Sequence, residues 1–189
     1  MTMTPSNIRY ADFIEIQRSI FGFTGTLLCG QLQLPKQLAI GVGDDQAIKD
    51  IAAFRAAGHF VFNPEDIMPL GMTSGLGMPV RLVVYYDRAP VAYAVGYMTN
   101  VSIDLTFWEV SRQAPDEVVT HWLPILTASL EDLSVGVQHL SQNEIKIQQF
   151  AFTSPAPCDI IAFKSVGFSH VESYTKGIPA VVTYRHSGS

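Results

Sequence analysis

The sequence is short of charged residues. Asp, Glu, Lys and Arg make up only 15% of its 189 residues, whereas an average soluble domain has about 25%. Hydrophobic residues make up 48%. This composition argues against an intrinsically disordered chain, and the length predicts one domain with a sizeable core. Three explanations for the low charge stay open: a sheet buried on both faces, an apolar ligand, or an apolar partner surface.

Positive charge is especially scarce. There are 12 Lys and Arg against 17 Asp and Glu, which gives a net charge of -5, and no basic run occurs. Proteins that bind nucleic acids neutralise phosphates with clustered Lys and Arg. We therefore expect no nucleic-acid partner.

Long apolar runs are also missing. The most apolar region, residues 80–98, is interrupted by Arg81, Asp87, Arg88 and Pro90, whereas a membrane-spanning helix needs about 20 apolar residues. The first residues show no basic segment followed by an apolar one, so we predict no signal peptide. The expectation is a cytoplasmic protein with no membrane contact.

Cysteine is rare, and the histidines are scattered. Cys29 and Cys158 are far apart and form no Cys-x-x-Cys motif, which predicts two reduced, packed thiols. The five histidines share no metal-ligand spacing with one another or with cysteine. We therefore predict no metal site.

The first 79 residues predict two helices and a loop. A short strand at residues 8–10 precedes a helix capped by Asp12, which Gly22, Gly25 and Gly30 should end. A second helix is predicted at residues 44–57, followed by a strand at 59–62. Residues 71–79 form a glycine-rich loop, either a flexible linker or a lid over an apolar ligand. The lid reading rests on four apolar residues in and beside it: Met68, Met72, Leu76 and Met78.

The middle of the chain predicts an antiparallel meander. Alternating apolar residues mark strands at 80–86, 91–98 and 102–110, with turns between them. The second strand has a face of small residues, Ala92, Ala94 and Gly96, so another element should pack close to it. A helix beginning near Thr120 follows, with Pro124 in its first turn. A strand at 144–153, a short helix at 158–166 and a hairpin of strands 169–174 and 178–184 complete the pattern.

This order of elements resembles the GNAT (N-acetyltransferase) superfamily. Residues 83–94, VVYYDRAPVAYA, look like the family's hairpin, and residues 161–168, IAFKSVGF, look like its last helix with a Gly-Phe exit. The resemblance implies an α/β (α+β) fold with a mixed, mainly antiparallel sheet and helices on both faces. It implies one domain, 1–189, with a helical part and loop at 1–79 and the core sheet and helices at 80–186.

The resemblance also implies an acyl-CoA site after the third meander strand. Family members carry a glycine-rich loop there, whose amides reach the donor pyrophosphate at a helix N-terminus. The matching residues 111–117, SRQAPDE, contain no glycine, and Pro115 lacks an amide hydrogen. Acidic residues at such a position are also ordinary helix capping. The donor-binding candidates, for acetyl-CoA or another acyl-CoA, are Val110, Arg112, Gln113, Ala114 and Asp116.

Two catalytic candidates follow from the resemblance. Glu109, on the third meander strand, is the candidate base, with Asp104 also on that strand, although a solvent-facing carboxylate is the ordinary alternative. Phe163 occupies the position where many family members have a tyrosine that acts as general acid, so another tyrosine has to supply the proton. Tyr174 is the candidate, with Tyr85, Tyr86, Tyr93 and Tyr97 as the alternatives. His121 could be a base or an anion donor, or a capping or surface histidine.

Three functions remain open at this point. The first is an N-acyltransferase that uses acyl-CoA or an acyl carrier protein and acts on a small-molecule amine or a protein, with a homodimer as one option for its assembly. The acyl carrier follows from a faint similarity of Phe54-Arg55 and residues 60–62 to acyl-homoserine-lactone and N-acyl amino acid synthases. The second is a catalytically inactive GNAT-like binding module, which a gap blocked by Trp108 or Phe150 would favour. The third is other thioester chemistry, such as decarboxylation.

Overall fold

Seven strands form one sheet in the computed structural model, which describes residues 8–68, 77–153, 157–171 and 181–185. The helices are α1 Tyr10–Gln31, α2 Asp45–Ala56, α3 Pro64–Ile67, α4 Asp116–Leu140 and α5 Pro157–Ser165. The strands are β1 Leu38–Val42, β2 Met78–Tyr86, β3 Ala89–Met98, β4 Ser102–Val110, β5 Gln149–Thr153, β6 Ser169–Val171 and β7 Val181–Arg185. Among the predicted features, Tyr174, Met72 and Leu76 lie outside the described residues.

The sheet is mixed and mainly antiparallel, as predicted. Its order is β1-β2-β3-β4-β5-β7-β6, and every neighbouring pair is antiparallel except β4 and β5, which run parallel. A parallel pair needs a crossover connection, and α4 supplies it. The parallel step therefore lies in the interior of the sheet, between the meander and the last strands.

Helices cover both faces of the sheet, which confirms the second part of the fold prediction. On one face, α1, α4 and α5 bury apolar residues such as Phe21, Leu130 and Phe163 against the strands. On the other face, α2 and α3 pack over Val83 and Tyr93. Strands buried on both faces need few charged residues, which explains much of the low charge of the chain.

The meander forms as the sequence predicts. Asp87 and Arg88 have φ values of 51° and 68°, the left-handed conformation of a two-residue hairpin loop. The β3–β4 register shifts between Val95 and Gly96, which marks a β-bulge. A side chain at Gly96 would collide with the Asp104 carbonyl, so the close approach of β4 requires glycine at this position.

The prediction for the N-terminal region is wrong at three points. Residues 8–10 form no strand, because α1 begins at Tyr10. Gly22, Gly25 and Gly30 do not end α1 but lie inside it. A Cβ on Gly25 would lie 2.8 Å from the Ile40 backbone nitrogen, so this glycine allows α1 to pack closely on β1. Strand β1 itself was not predicted, and through it the N-terminal part contributes to the sheet.

Two predicted strands also need correction. Residues 59–62 form bends rather than a strand, and Phe60 is buried against the α2 side of the sheet. Strand β5 begins at Gln149 instead of residue 144. The preceding residues are held by the β3–β4 turn, since the Lys146 amide donates to the Asn100 carbonyl at 3.0 Å. Apolar and polar residues alternate in this segment because Ile145 and Ile147 are buried, although the segment forms no strand.

Helix α4 begins earlier than predicted, at Asp116, so Pro124 lies in its interior and not in its first turn. An interior proline removes one helix hydrogen bond. The helix continues because its apolar face, including Ile125, Leu130 and Leu133, is fully buried. Burial of that face outweighs the local cost of the proline.

Two of the four residues behind the lid hypothesis belong to the core. Met68 is 1% exposed and packs with the α2 cluster, and Met78 is 4% exposed and packs with the α1 and α4 cluster. Both therefore have an ordinary structural explanation. The lid hypothesis loses these two residues, and its remaining part falls on residues outside the described ranges.

Candidate active site

Strands β4 and β5 separate half-way along β4. Their pairing runs from Ser102↔Gln149 to Leu105↔Phe152, while β4 itself continues to Val110. Within the described residues, positions 106–110 therefore have no strand partner on the β5 side. An unpaired strand edge presents backbone N–H and C=O groups that can bind an extended ligand.

A cleft of about 290 Å³ lies beside this unpaired edge. Residues from β4, α4 and α5 line it: Trp108, Val110, Val119, Thr120, Trp122, Leu123, Asp159, Ala162 and Phe163. Most are apolar, and Asp159 is the only charged residue among them. The cleft thus combines an apolar wall with a strand edge rich in polar backbone, as small-molecule sites do. Of the predicted donor-binding residues, Val110 lies in it.

Aromatic rings form one wall of the cleft. The Trp108 ring stands edge-to-face on Phe152 and Phe163, with ring centroids 5.6 and 5.8 Å apart. Phe150, the other residue named as a potential block, is buried in the core beneath the sheet. Trp108 therefore narrows the gap between the strands, yet the cleft remains beside it.

The loop after β4 is closed by hydrogen bonds to the protein itself. The Arg112 amide donates to the His59 carbonyl at 2.9 Å, and the Ala114 amide donates to the Ser111 carbonyl at 3.0 Å. The Gln113 amide donates to Ser111 Oγ at 3.2 Å. These amides and Pro115 leave the loop without the cradle that a pyrophosphate requires.

Acidic residues occupy the first turn of α4. Asp116 is exposed, and Glu117 is half-buried and accepts a hydrogen bond from the Tyr86 hydroxyl at 3.0 Å. Tyr86 in turn accepts the Lys36 amide at 3.1 Å. Glu117 thus ties the start of α4 to β2, and its negative charge suits the helix dipole.

Glu109 lies at the end of β4, opposite Tyr93 on β3, and its carboxylate receives three donors. The Val61 amide donates to Oε1 at 2.6 Å, the Tyr93 hydroxyl to Oε2 at 2.7 Å, and the Phe62 amide to Oε2 at 3.5 Å. Burial and the adjacent Glu109 carboxylate raise the pKa of Tyr93. Glu109 therefore holds residues 61–62 against the sheet, on the face opposite the cleft.

Asp104 lies one residue before the last β4–β5 pair. Its carboxylate accepts the Ser102 hydroxyl at 3.0 Å. Burial raises the pKa of Asp104, and the hydrogen bond from Ser102 partly offsets that effect. Among the described carboxylates, Asp104 thus combines a raised pKa with a position next to the strand separation.

The structure gives the position of His121 and bears on the metal prediction. The His121 ring lies one turn into α4, and its Nδ1 is 2.7 Å from the Glu117 carbonyl, a contact within the helix. In the part of the chain that the structure describes, no group of three His, Cys, Asp or Glu residues could hold a metal ion. Nor does any described helix have the length and apolarity needed to cross a membrane.

Comparison with known proteins identifies the fold. No family model and no curated protein sequence matches the chain. Solved structures do match. The ribosomal-protein-S18-alanine N-acetyltransferase from Escherichia coli superposes with a TM-score of 0.56 over 80% of this chain and 96% of that one, at 9% identity. The chain has the GNAT fold.

Two further structures support this GNAT assignment. The PaiA N-acetyltransferase from Thermoplasma acidophilum, solved with coenzyme A, has a TM-score of 0.51, at 9% identity, covering 79% of this chain and 99% of that one. Campylobacter jejuni N-acetyltransferase PseH has a TM-score of 0.50 with the same identity and coverage. The predicted resemblance is thereby confirmed at the level of the fold.

The GNAT fold brings some predicted site residues together and separates others. Val110 lines the cleft, and Arg112, Gln113, Ala114 and Asp116 surround the start of α4, whereas Glu109 faces the other side of the sheet. Sequence reasoning missed the cleft residues of α4 and α5, among them Val119, Leu123 and Ala162. Val119 is 53% exposed although it is apolar, a property that the structure shows and the sequence does not.

Proposed function

We propose that this protein transfers an acyl group from a pantetheine thioester, carried by coenzyme A or by an acyl carrier protein, to an amine. The amine belongs to a small molecule or to a protein. One observation carries the proposal: β4 extends beyond its last partner on β5, and an apolar cleft of about 290 Å³ borders the free edge. The GNAT fold agrees with this function but does not by itself establish it.

The cleft suits the arm of such a donor. Pantetheine is a chain of methylene groups interrupted by amides, so it needs both apolar contact and hydrogen-bond partners. The walls formed by Trp108, Leu123 and Phe163 provide the first, and the backbone of residues 106–110 provides the second. In this arrangement the thioester lies where β4 and β5 part.

The reaction would proceed by attack of the amine nitrogen on the thioester carbonyl carbon. A C–N bond forms, the C–S bond breaks, the amine loses one proton to a base, and the thiolate takes one proton. Glu109 remains the predicted base. Because it faces the side of the sheet opposite the cleft, the amine has to approach it from that side and compete with the three donors that it already accepts. Tyr174 remains the predicted acid.

The proposal is tested by thiol release. Purified protein is incubated with acetyl and octanoyl thioesters and a panel of amines, with thiol and acylated amine both measured. We expect amine-dependent thiol release. Filling the cleft with Ala162→Trp should lower kcat/KM by at least about tenfold, because the donor arm loses its place.

The matched control is Lys164→Trp, which adds the same side chain at an exposed position of α5 outside the cleft. Its activity should equal that of the unchanged protein. If no thioester releases thiol with any amine, or if both tryptophan variants behave alike, the proposal is wrong.

A second candidate is a catalytically inactive binding module. Two observations favour it: Trp108 packs into the gap against Phe152, and Phe163 has no acidic proton. In this case the cleft binds its ligand without turnover. Calorimetry would then detect binding of a thioester that Ala162→Trp abolishes, and Glu109→Gln would leave the biological activity unchanged.

A further inference from the structure

We infer that the donor presents its pantetheine arm to this protein without a nucleoside diphosphate at the start of α4. The inference rests on the proposed function and selects among its donors. An acyl group borne on a carrier protein, or on a small pantetheine derivative, meets this requirement, whereas acyl-CoA does not. Three features favour such a donor: the loop between β4 and α4, the charge beside that loop and the size of the cleft.

The backbone amides of the loop after β4 already donate hydrogen bonds within the protein. A diphosphate at a helix N-terminus is bound by backbone N–H groups that point toward it. Here the amides of Arg112, Gln113 and Ala114 donate to His59 and Ser111, and Pro115 has no amide hydrogen. Binding a diphosphate to these three amides would require their hydrogen bonds to break, including the one that joins the loop to residue 59, so only the amides in the first turn of α4, the turn that bears the carboxylates, stay available.

The loop and the first turn of α4 carry more negative than positive charge. Residues 111–117 contain one cation, Arg112, and two carboxylates, Asp116 and Glu117. Glu117 is fixed by its hydrogen bond from Tyr86, so it cannot simply swing away without losing that partner. A nucleoside diphosphate would bring further negative charge next to these carboxylates, whereas an uncharged arm would not. The carboxylates already satisfy the helix dipole that would otherwise attract phosphate.

The cleft is also small for a whole coenzyme. Ligand pockets that enclose a drug-sized molecule measure about 300–1,000 Å³. The cleft, at about 290 Å³, lies at the lower limit of that range, which suits an arm rather than a whole coenzyme. Among the described residues that line it, Asp159 is the single charged one, and it is a further carboxylate.

The experiment compares three donors that carry the same octanoyl group. They are octanoyl-pantetheine, octanoyl-CoA and octanoyl acyl carrier protein. We expect kcat/KM for octanoyl-pantetheine or for the carrier protein to exceed that for octanoyl-CoA by at least about tenfold. A carrier that surpasses free pantetheine identifies a protein source for the arm, and equal rates identify a small thioester.

Salt and charge variants give an independent readout. Because like charges repel less at high ionic strength, the rate with octanoyl-CoA should rise relative to octanoyl-pantetheine between about 0.05 and about 0.5 M salt. The double variant Asp116→Asn, Glu117→Gln should raise the ratio of octanoyl-CoA turnover to octanoyl-pantetheine turnover several-fold. Glu131→Gln, farther along α4, is the control and should leave that ratio unchanged.

The results separate the two proposals. If octanoyl-CoA is used as well as octanoyl-pantetheine, or if salt lowers its relative rate, the inference is overturned and acyl transfer stands. If none of the three donors releases thiol, the proposed function itself fails.

Discussion

At the scale of single residues, Glu109 connects separate parts of the chain. Its carboxylate joins β4 to β3 through Tyr93 and to the segment after α2 through the Val61 and Phe62 amides. Hydrogen bonds to a charged acceptor are about twice as strong as neutral ones. Glu109 is therefore a positioning residue in the folded protein, whatever part it takes in proton transfer.

Replacing Glu109 with glutamine should destabilise the protein. Glutamine keeps one acceptor oxygen but loses the charge, so we expect the free energy of unfolding to fall by about 1–3 kcal/mol in urea titrations. Glu65→Gln, at an exposed position of α3, is the control and should change it by less than about 0.5 kcal/mol. Equal stability of the two variants would contradict the positioning role.

The raised pKa of Asp104 makes a prediction about pH. Because burial favours the protonated form, the ionised carboxylate destabilises the folded state above that pKa. Asp104→Asn should therefore stabilise the protein at pH 7, by less than about 1 kcal/mol since the site is partly solvated. The gain should shrink as pH falls toward the ordinary Asp value near 4. Urea unfolding at several pH values measures it, and a pH-independent gain would refute this assignment.

At the scale of elements, α1 shows how a glycine serves packing. Gly22, Gly25 and Gly30 lower the helix propensity of α1, yet the helix continues through all three. Gly25 contacts β1 so closely that a Cβ would meet the Ile40 nitrogen, whereas nothing lies within 4 Å of a Cβ at Gly22. The same residue type thus has opposite consequences at two positions of one helix.

This difference is testable with a pair of alanine variants. Gly25→Ala should lower the free energy of unfolding by about 1–3 kcal/mol, because backbone atoms of β1 have to move. Gly22→Ala should raise it by about 0.5–1 kcal/mol through helix propensity alone. Thermal or urea unfolding compares them. If Gly25→Ala also stabilises the protein, α1 does not pack on β1 as described.

At the scale of the whole molecule, the sheet has a stable centre and a weaker edge. Strand β3 pairs along most of its length with both β2 and β4, and its residues are almost all buried. Within the described residues, strand β6 covers Ser169–Val171 and pairs with β7 on one side. Local stability follows burial and pairing, so the two strands should open at different free energies.

Hydrogen exchange should report this gradient. We expect amides of β3 to exchange only through global unfolding and those of β6 to exchange through local opening, at least about 100-fold faster. Mass spectrometry of peptides that cover each strand measures the rates. Equal protection of β3 and β6 would show that the sheet unfolds as one cooperative unit.

Local patterns were sufficient to predict several elements. The alternation in residues 102–110 predicted β4 with its observed bounds, because a strand buried on a face imposes a period of two. The second helix was predicted to begin at residue 44, and the Asp44 carboxylate caps α2 by accepting the Gln46 and Ala47 amides. The absence of glycine from residues 111–117 could also be read from the sequence, and it distinguishes this loop from a phosphate-binding loop.

Contacts between distant residues were beyond the sequence. Helix α1 continues through Gly25, where it packs closely on Ile40 of β1, and such a tertiary contact can override helix propensity. The partners of Glu109, and the closure of the loop by the His59 carbonyl, join residues far apart in the chain. The sequence by itself determined the meander, the low charge and the absence of loop glycines, since these are local properties. Only the tertiary structure decided that β4 separates from β5 beside a cleft and that the loop amides are already occupied, because packing brings those groups together.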